Sequence, residues 1–283
     1  MVKYYLPGLF EFFDLYVVLV DMFQQENHKF RDCEIGAIFG APNRVIWNGG
    51  RVRTAPPVDI DGVKRWADAK GISCALTFTN NLIGEEHLKN VYCNDLARTF
   101  ESENNAIIIH SPVLEDYIRT TYPKYKIVSS TTKCIRDIGQ LKAEFSRPYE
   151  RVVLDYNFNK EMKFLKDLPF EEKQRSELLI NAVCYAYCPR RPEHYHLIAQ
   201  SALGMDVPAF ECDAMHKNFW QVLDNPNTIS VDEIYNFYEP IGFQHFKIEG
   251  RTANIRDLIE ILVYYMVKPE YQLEIRQRLN LIF

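Results

Sequence analysis

Two rhythms alternate along this chain. Short runs of apolar and β-branched residues give way to stretches in which apolar positions recur every three or four residues, the spacing that gathers them on one helix face. The runs predict strands at Tyr4 to Phe12, Cys33 to Ala41, Ile72 to Asn80, Ala106 to His110, Lys126 to Thr132, Arg151 to Asn157, Ser176 to Cys184 and His245 to Arg251. Helical spacing runs through Leu15, Val18, Leu19 and Met22, from Asp59 to Lys70, from Val91 to Asn104, and through the groups Ile138, Leu141, Phe145 and Phe164, Leu165, Leu168. Helix starts are marked where a short polar side chain can take up free backbone N–H groups. These are Ser111 ahead of Pro112, Asn159, Ser230 with Glu233, and Asn254 before the apolar face of Ile255, Leu258, Ile259, Leu262 and Met266. After the second strand, Asn48-Gly49-Gly50 predicts a tight turn or hairpin.

Eight strands, nearly all separated by helices, predict the α/β class and a (β/α)8 TIM-like barrel, with residues 1–283 as a single domain. A doubly wound open sheet is the alternative. An excursion rich in cysteine and histidine, residues 185–229, is inserted after the seventh strand. Loops at the C-terminal strand ends of a barrel converge on one mouth. The polar residues where strands stop are therefore pocket candidates: Glu11, Asn80, His110, Thr131, Thr132, Asp155, Asn157, Asn181, Glu249 and Arg251. The plain alternative is that any strand must end in something polar.

Composition narrows the class. At 47% hydrophobic and 25% charged, the chain is an ordinary globular protein, and a net charge of −5 excludes a surface coated in positive charge. A nucleic-acid partner would have to meet a local patch. Seven cysteines are an odd number for closed disulfides and suit a reducing compartment, so the expectation is a cytoplasmic protein. Pro7, Gly8, Glu11, Asp14 and Asp21 interrupt the apolar N-terminus, which predicts no membrane span.

The densest chemistry lies between Ile180 and His216, where Cys184, Cys188 and Cys212 share one segment with His194, His196 and His216. Three thiolates suit an iron–sulfur cluster if a fourth ligand joins them, and Cys134, just past a strand end, is the first candidate. The same thiolates with one of the histidines would make a tetrahedral zinc site, and spacing alone does not choose between iron and zinc. The bland alternative is reduced, buried thiols, the expectation for Cys74 and Cys93; Cys33 starts a strand and so belongs to the opposite barrel face. CYAYC, Cys184 to Cys188, resembles the opening of the radical adenosylmethionine motif, but Arg191 stands where its third cysteine belongs. Arg190 and Arg191 could hold an anionic substrate or serve as a solvated loop. No phosphate-cradling glycine loop, HExxH element or hydrolase triad is identifiable.

The strand FKIEGRT, Phe246 to Thr252, resembles the signature of the collagenase-like peptidase family U-32. The order RVVLDYN, then ELLINAVC, then clustered cysteines, then that strand is also similar. The resemblance implies a barrel-like catalytic domain holding a four-iron cluster on cysteines. It implies oxygen-independent hydroxylation, in ubiquinone synthesis or on RNA, although some members were described as collagenases. By position it assigns Cys184, Cys188 and Cys212 to the cluster, with Lys247, Glu249 and Arg251 in the strand signature. No further cysteine follows Cys212, so either Cys134, the first candidate, or another upstream cysteine completes the set, or the site has a non-cysteine ligand. Arg190, Arg191 and Arg251 are then the expected substrate anchors, and Glu249, His110 and Asn157 the polar groups facing the substrate, an RNA or a small aromatic or quinone molecule. A metal-dependent peptidase and a non-enzymatic protein stapled by zinc are the alternatives. The chain resembles the family core without the extra C-terminal domain of longer relatives, and a partner subunit or homo-oligomer is expected.

Overall fold

In the structure, a computed structural model describing residues 1–51, 57–212, 214 and 217–283, eight parallel strands close into a barrel in sequence order. They are β1 (Val2–Pro7), β2 (Cys33–Gly40), β3 (Cys74–Phe78), β4 (Ala106–Ile109), β5 (Lys126–Ser129), β6 (Arg151–Val153), β7 (Ser176–Leu179) and β8 (His245–Lys247). Closure is made by β8, which pairs with β1 through Lys3–His245 and Tyr5–Lys247. The predicted (β/α)8 barrel is the fold.

Alternation along each strand divides two environments. Tyr4 and Leu6 point out into the main core beneath the helices, whereas Tyr5 points into the barrel with Ala37, Phe39, Ala75, Ile108 and Val128. The outer core holds the apolar face of helix Ile255–Met266, whose start Asn254 caps by accepting from Asp257 N at 2.9 Å. Ser111 caps helix Pro112–Thr121, and Ser230 and Glu233 form the reciprocal capping box.

The barrel interior is apolar on one side only. Alanines on β2, β3 and β4 leave room for long side chains from β6, β7 and β8, where Glu177 accepts from Arg151 Nε at 2.8 Å and from Lys247 Nζ at 3.0 Å. The Arg151 guanidinium also lies 4.4 Å from the Tyr5 ring centre. All three charged side chains are at least nine-tenths buried.

Several predicted elements are corrected. Strands stop earlier than the apolar runs, because the chain leaves the ladder while still extended or turning; Glu11, for example, lies in the turns after β1. Asn159 does not cap a helix; its Nδ2 donates to Leu179 O and Asn227 O. Among the described residues, the Asn48–Gly50 stretch is a loop and not a hairpin. A Cβ on Gly49 would stand 2.5 Å from Asn80 Cα, so this glycine serves a close approach of the loop to the end of β3.

Candidate functional site at the barrel mouth

Beyond the strand ends a cavity of about 90 Å³ opens, floored by Phe39, Ile108, Leu179 and Lys247 and ringed by hydroxyls of Thr77, Thr79, Ser130, Thr131 and Thr132. Its rim carries Arg51, Tyr195, Glu249 and Arg251. Glu249 is fixed twice. Its carboxylate pairs with Arg51 and accepts from Val183 N at 3.1 Å, while Asn181 exchanges side-chain hydrogen bonds with the Glu249 backbone. Burial opposes the Arg51 charge, but Glu249, with smaller help from Tyr195 and Cys184, outweighs it and holds the guanidinium above its usual range.

Arg251 is buried and donates to Thr77 Oγ1 at 2.6 Å and to Arg51 O at 2.7 Å. Glu11 lies near it at 3.9 Å, its carboxyl raised by burial against the pull of that guanidinium. The rim thus holds Arg51, Arg251 and Glu249 in fixed positions. Arg51 is the residue sequence reasoning missed; the glycines before it, which let the loop lie against β3, were its one available signal.

The two neighbouring arginines part company. Arg190 is exposed, paired with Glu193 and stacked 4.3 Å over Phe210, so it can meet a solvent-borne anion. Arg191 is fully buried, donating to Asp155 Oδ2 at 2.6 Å and to Thr131 Oγ1 at 2.9 Å, with its guanidinium 4.4 Å from the Tyr156 ring centre. It bolts helix Arg191–Ala202 to the ends of β5 and β6, which corrects its reading as a substrate anchor.

Asn157 is corrected in the same way. Its Oδ1 accepts from Tyr187 N and Asn227 Nδ2 while its Nδ2 donates to Asp155, so it braces the excursion and does not face the cavity. His110 shares a hydrogen bond of 2.9 Å with Thr132 Oγ1, itself on the cavity wall.

Burial, with the Lys133 charge adding to it, pushes the His110 pKa down to about 4, and His194 and His245 are lowered to about 4 as well. All three are neutral at pH 7. Their unfolded values lie near 6.5, so as pH falls from about 6.5 toward 4 the unfolded chain takes up protons that the folded one refuses, and stability drops. The urea midpoint is expected to fall between pH 7 and pH 5, less steeply in His110→Gln. A flat profile over that window in the unaltered protein would contradict the burial of these rings.

The cysteines divide by face. Cys33 and Cys74 begin β2 and β3 at the opposite end, and Cys93 is buried in helix Val91–Phe100. Cys134, Cys184, Cys188 and Cys212 all lie on the mouth side. Hydrogen bonds stitch their segments together: Arg136 donates to Cys188 O at 3.1 Å, Arg190 to Glu211 O at 3.4 Å, and Asn225 to Cys184 O at 2.7 Å. Burial raises the Cys134 and Cys184 thiols, opposed by the charges of Arg191 and Arg51 respectively. Cys134 and Tyr187, the neighbour of Cys188, both adopt the left-handed region, with φ of 52° and 54°. Such backbone is costly for residues other than glycine and concentrates at functional sites.

Among the described residues no three His, Cys, Asp or Glu side chains stand close enough to hold one metal ion. A tetrahedral zinc at Zn–S distances of about 2.3 Å needs its sulfurs within roughly 4 Å of each other. A four-iron cluster takes one thiolate per iron, and four of the seven cysteines lie in loops on the mouth side. Of the histidines in the segment, His194 is stacked 4.1 Å from Phe210, His196 is exposed, and His216 lies outside the described residues.

No sequence-family model and no curated protein matches this chain. Among solved structures it is similar to the U32 peptidase Mk0906, at a TM-score of 0.55 and 14% identity, over 88% of this chain and 93% of that one. No helix among the described residues is long and apolar enough to cross a membrane. At so low an identity the likeness is one of architecture, and it runs through almost the whole of both chains: this protein has the barrel fold of a U32 peptidase.

Proposed function

We propose that this chain is an iron–sulfur enzyme of the U32 type, acting in an oxygen-independent modification, in the first place hydroxylation, of an RNA or a small aromatic or quinone substrate. Cys134, Cys184, Cys188 and Cys212 would hold a four-iron cluster beside the cavity. When bound, such a cluster supplies one-electron chemistry that protein side chains lack. The carrying observation is the hydrogen-bonded convergence of the segments that bear these four cysteines, and them alone of the seven, on the mouth side.

The chain's own residues do the rest. Arg190 at the surface, with Lys217 beside Tyr185, attracts an anionic substrate to the rim. Glu249, held by Arg51 and Val183 N, presents a carboxylate of fixed orientation, and neutral His110 can donate or accept one hydrogen bond through Thr132. The buried tyrosines Tyr156 and Tyr195 keep water from the interior around Arg191.

Protein purified without oxygen is expected to carry iron and acid-labile sulfide in equal amounts, with broad visible absorption and a paramagnetic signal on reduction. Cys184→Ala combined with Cys188→Ala should lose all three. Zinc without sulfide, or iron retained by the double variant, would overturn the proposal. The peptidase reading rests on the name of the solved structure, and peptide cleavage abolished by chelation would favour it.

A further inference from the structure

The floor of the mouth cavity presents an amine whose chemistry is independent of what the four cysteines hold. Lys247 reaches the cavity from the end of β8, its side chain 8% exposed, with Nζ 3.0 Å from Glu177 Oε1 and 3.7 Å from the centre of the Phe39 ring. The same Glu177 takes Arg151 Nε at 2.8 Å. One carboxylate thus serves two cations, each at least nine-tenths buried, and with all three ionised the trio carries an excess positive charge. Arg251 adds another cation nearby, offset only loosely by Glu11, and the Glu249–Arg51 pair across the cavity is neutral as a unit.

Excess charge at a buried site is relieved by losing the proton held least tightly. A guanidinium keeps its proton at any ordinary pH, and Glu177 is already ionised, held below its usual value by Lys247 and Arg151 against burial. Lys247 is therefore the member of the trio that sheds its proton most readily. Its pKa is lowered by burial and by the charges of Arg151 and Arg251, against the pull of Glu177. A free lysine amine facing an apolar cavity at a barrel strand end is equipped for nucleophilic attack on a carbonyl.

We propose that Lys247 is a nucleophile that condenses with the carbonyl carbon of a short aldehyde or ketone held in the mouth cavity, forming an imine on the protein. The nitrogen lone pair forms the C–N bond as the carbonyl π pair moves to oxygen. The two amine hydrogens and that oxygen then leave as one water, so neither oxidant nor reductant is consumed. Glu177 is within reach of Nζ to accept the nitrogen's proton and pass it toward the departing oxygen. An apolar cavity of roughly 150 Å³ admits benzene, so one of about 90 Å³ selects a carbonyl group on a short chain, with any longer remainder directed out of the mouth.

The test uses the full chain at pH 7 with acetaldehyde or pyruvate and cyanoborohydride, which reduces an imine to a stable secondary amine. Lys247 is expected to label before any surface lysine, because it lines the cavity that would hold the carbonyl and its proton is held less tightly than an exposed amine's, and Lys247→Arg should gain no such fast adduct. Labelling confined to surface lysines and the N-terminus, or an unchanged fast adduct in Lys247→Arg, would overturn the assignment. Should the variant fail to fold, peptide mapping of the labelled unaltered protein decides the matter alone. Neither probe needs a metal, so the outcome is separable from the iron measurement.

Discussion

Glu177→Leu is expected to destabilise the whole barrel by about 3–5 kcal/mol, the cost of leaving buried charges without their partner. The residue is 1% exposed and is the acceptor for both Arg151 and Lys247, themselves 7% exposed each. Its removal leaves the Arg151 guanidinium and the Lys247 amine without their shared acceptor in the interior, where Tyr5 and Phe39 offer only the faces of aromatic rings. Denaturation in urea should show a lower midpoint with an unchanged slope, because the surface exposed on unfolding is the same. A concerted Arg151→Met, Glu177→Leu, Lys247→Met replacement should recover most of the loss, since a buried charge group replaced by apolar residues of similar size is often neutral or stabilising. A single-variant cost below about 1 kcal/mol would mean that the trio is hydrated or rearranged, and the interior description would fall. The pH dependence follows the depressed Glu177 value: its contribution is complete above the unfolded carboxyl value near 4.3 and is lost as pH falls through the lower folded one.

That trio also shows where sequence stops informing. Strands buried on both sides read as continuous apolar runs, so Arg151, Glu177 and Lys247 sit at the margins of such runs and give no sign that they face one another inside a barrel. The eight runs themselves were legible, together with the caps at Ser111, Ser230 and Asn254, because each is written in a handful of neighbouring residues. Strand ends were not. Beyond the ladder, Ile180 N still donates to Lys247 O and Ile248 N to Tyr5 O, so the chain remains extended and apolar past the last paired residue.

Helix Arg191–Ala202 escaped for a different reason. Its buried positions are Arg191, His194, Tyr195 and Ala199, a helical spacing filled mostly by polar and aromatic residues, so a search for apolar periodicity passes over it. The mouth shares this property. Asn80, Asn157, Asn159, Asn181 and Asn225 bind the backbone of other segments, and which loop each will brace depends on contacts dozens of residues away. Sequence could show that polar residues gather at strand ends; it could not separate the braces from the groups that line the cavity.

The sharpest test of that separation is Arg191→Ala, expected to release the excursion while leaving the barrel folded. Arg191 ties Asp155, whose side chain is fully buried, to Thr131 and to the start of the helix that follows the cysteine loop. Truncation leaves the Asp155 carboxylate with its Asn157 hydrogen bonds and the more distant Arg136 at 3.9 Å but without its close cation, a loss worth about 3–5 kcal/mol. Arg191 joins the start of this segment's helix to the ends of β5 and β6, so its loss should appear as local opening, read as faster amide exchange and proteolytic cleavage within residues 185–229. Exchange in β1 to β5 should be unchanged. Arg191→Lys should rescue little, because a single ammonium cannot span Asp155 and Thr131 as the planar guanidinium does. If instead protection across 185–229 is unaltered in the alanine variant, Arg191 is no brace, and a role as substrate anchor returns. The same opening should scatter Cys188 and Cys212 from Cys134, so that iron content falls in parallel with protection; loss of protection with full retention of iron would separate the brace from the proposed cluster site.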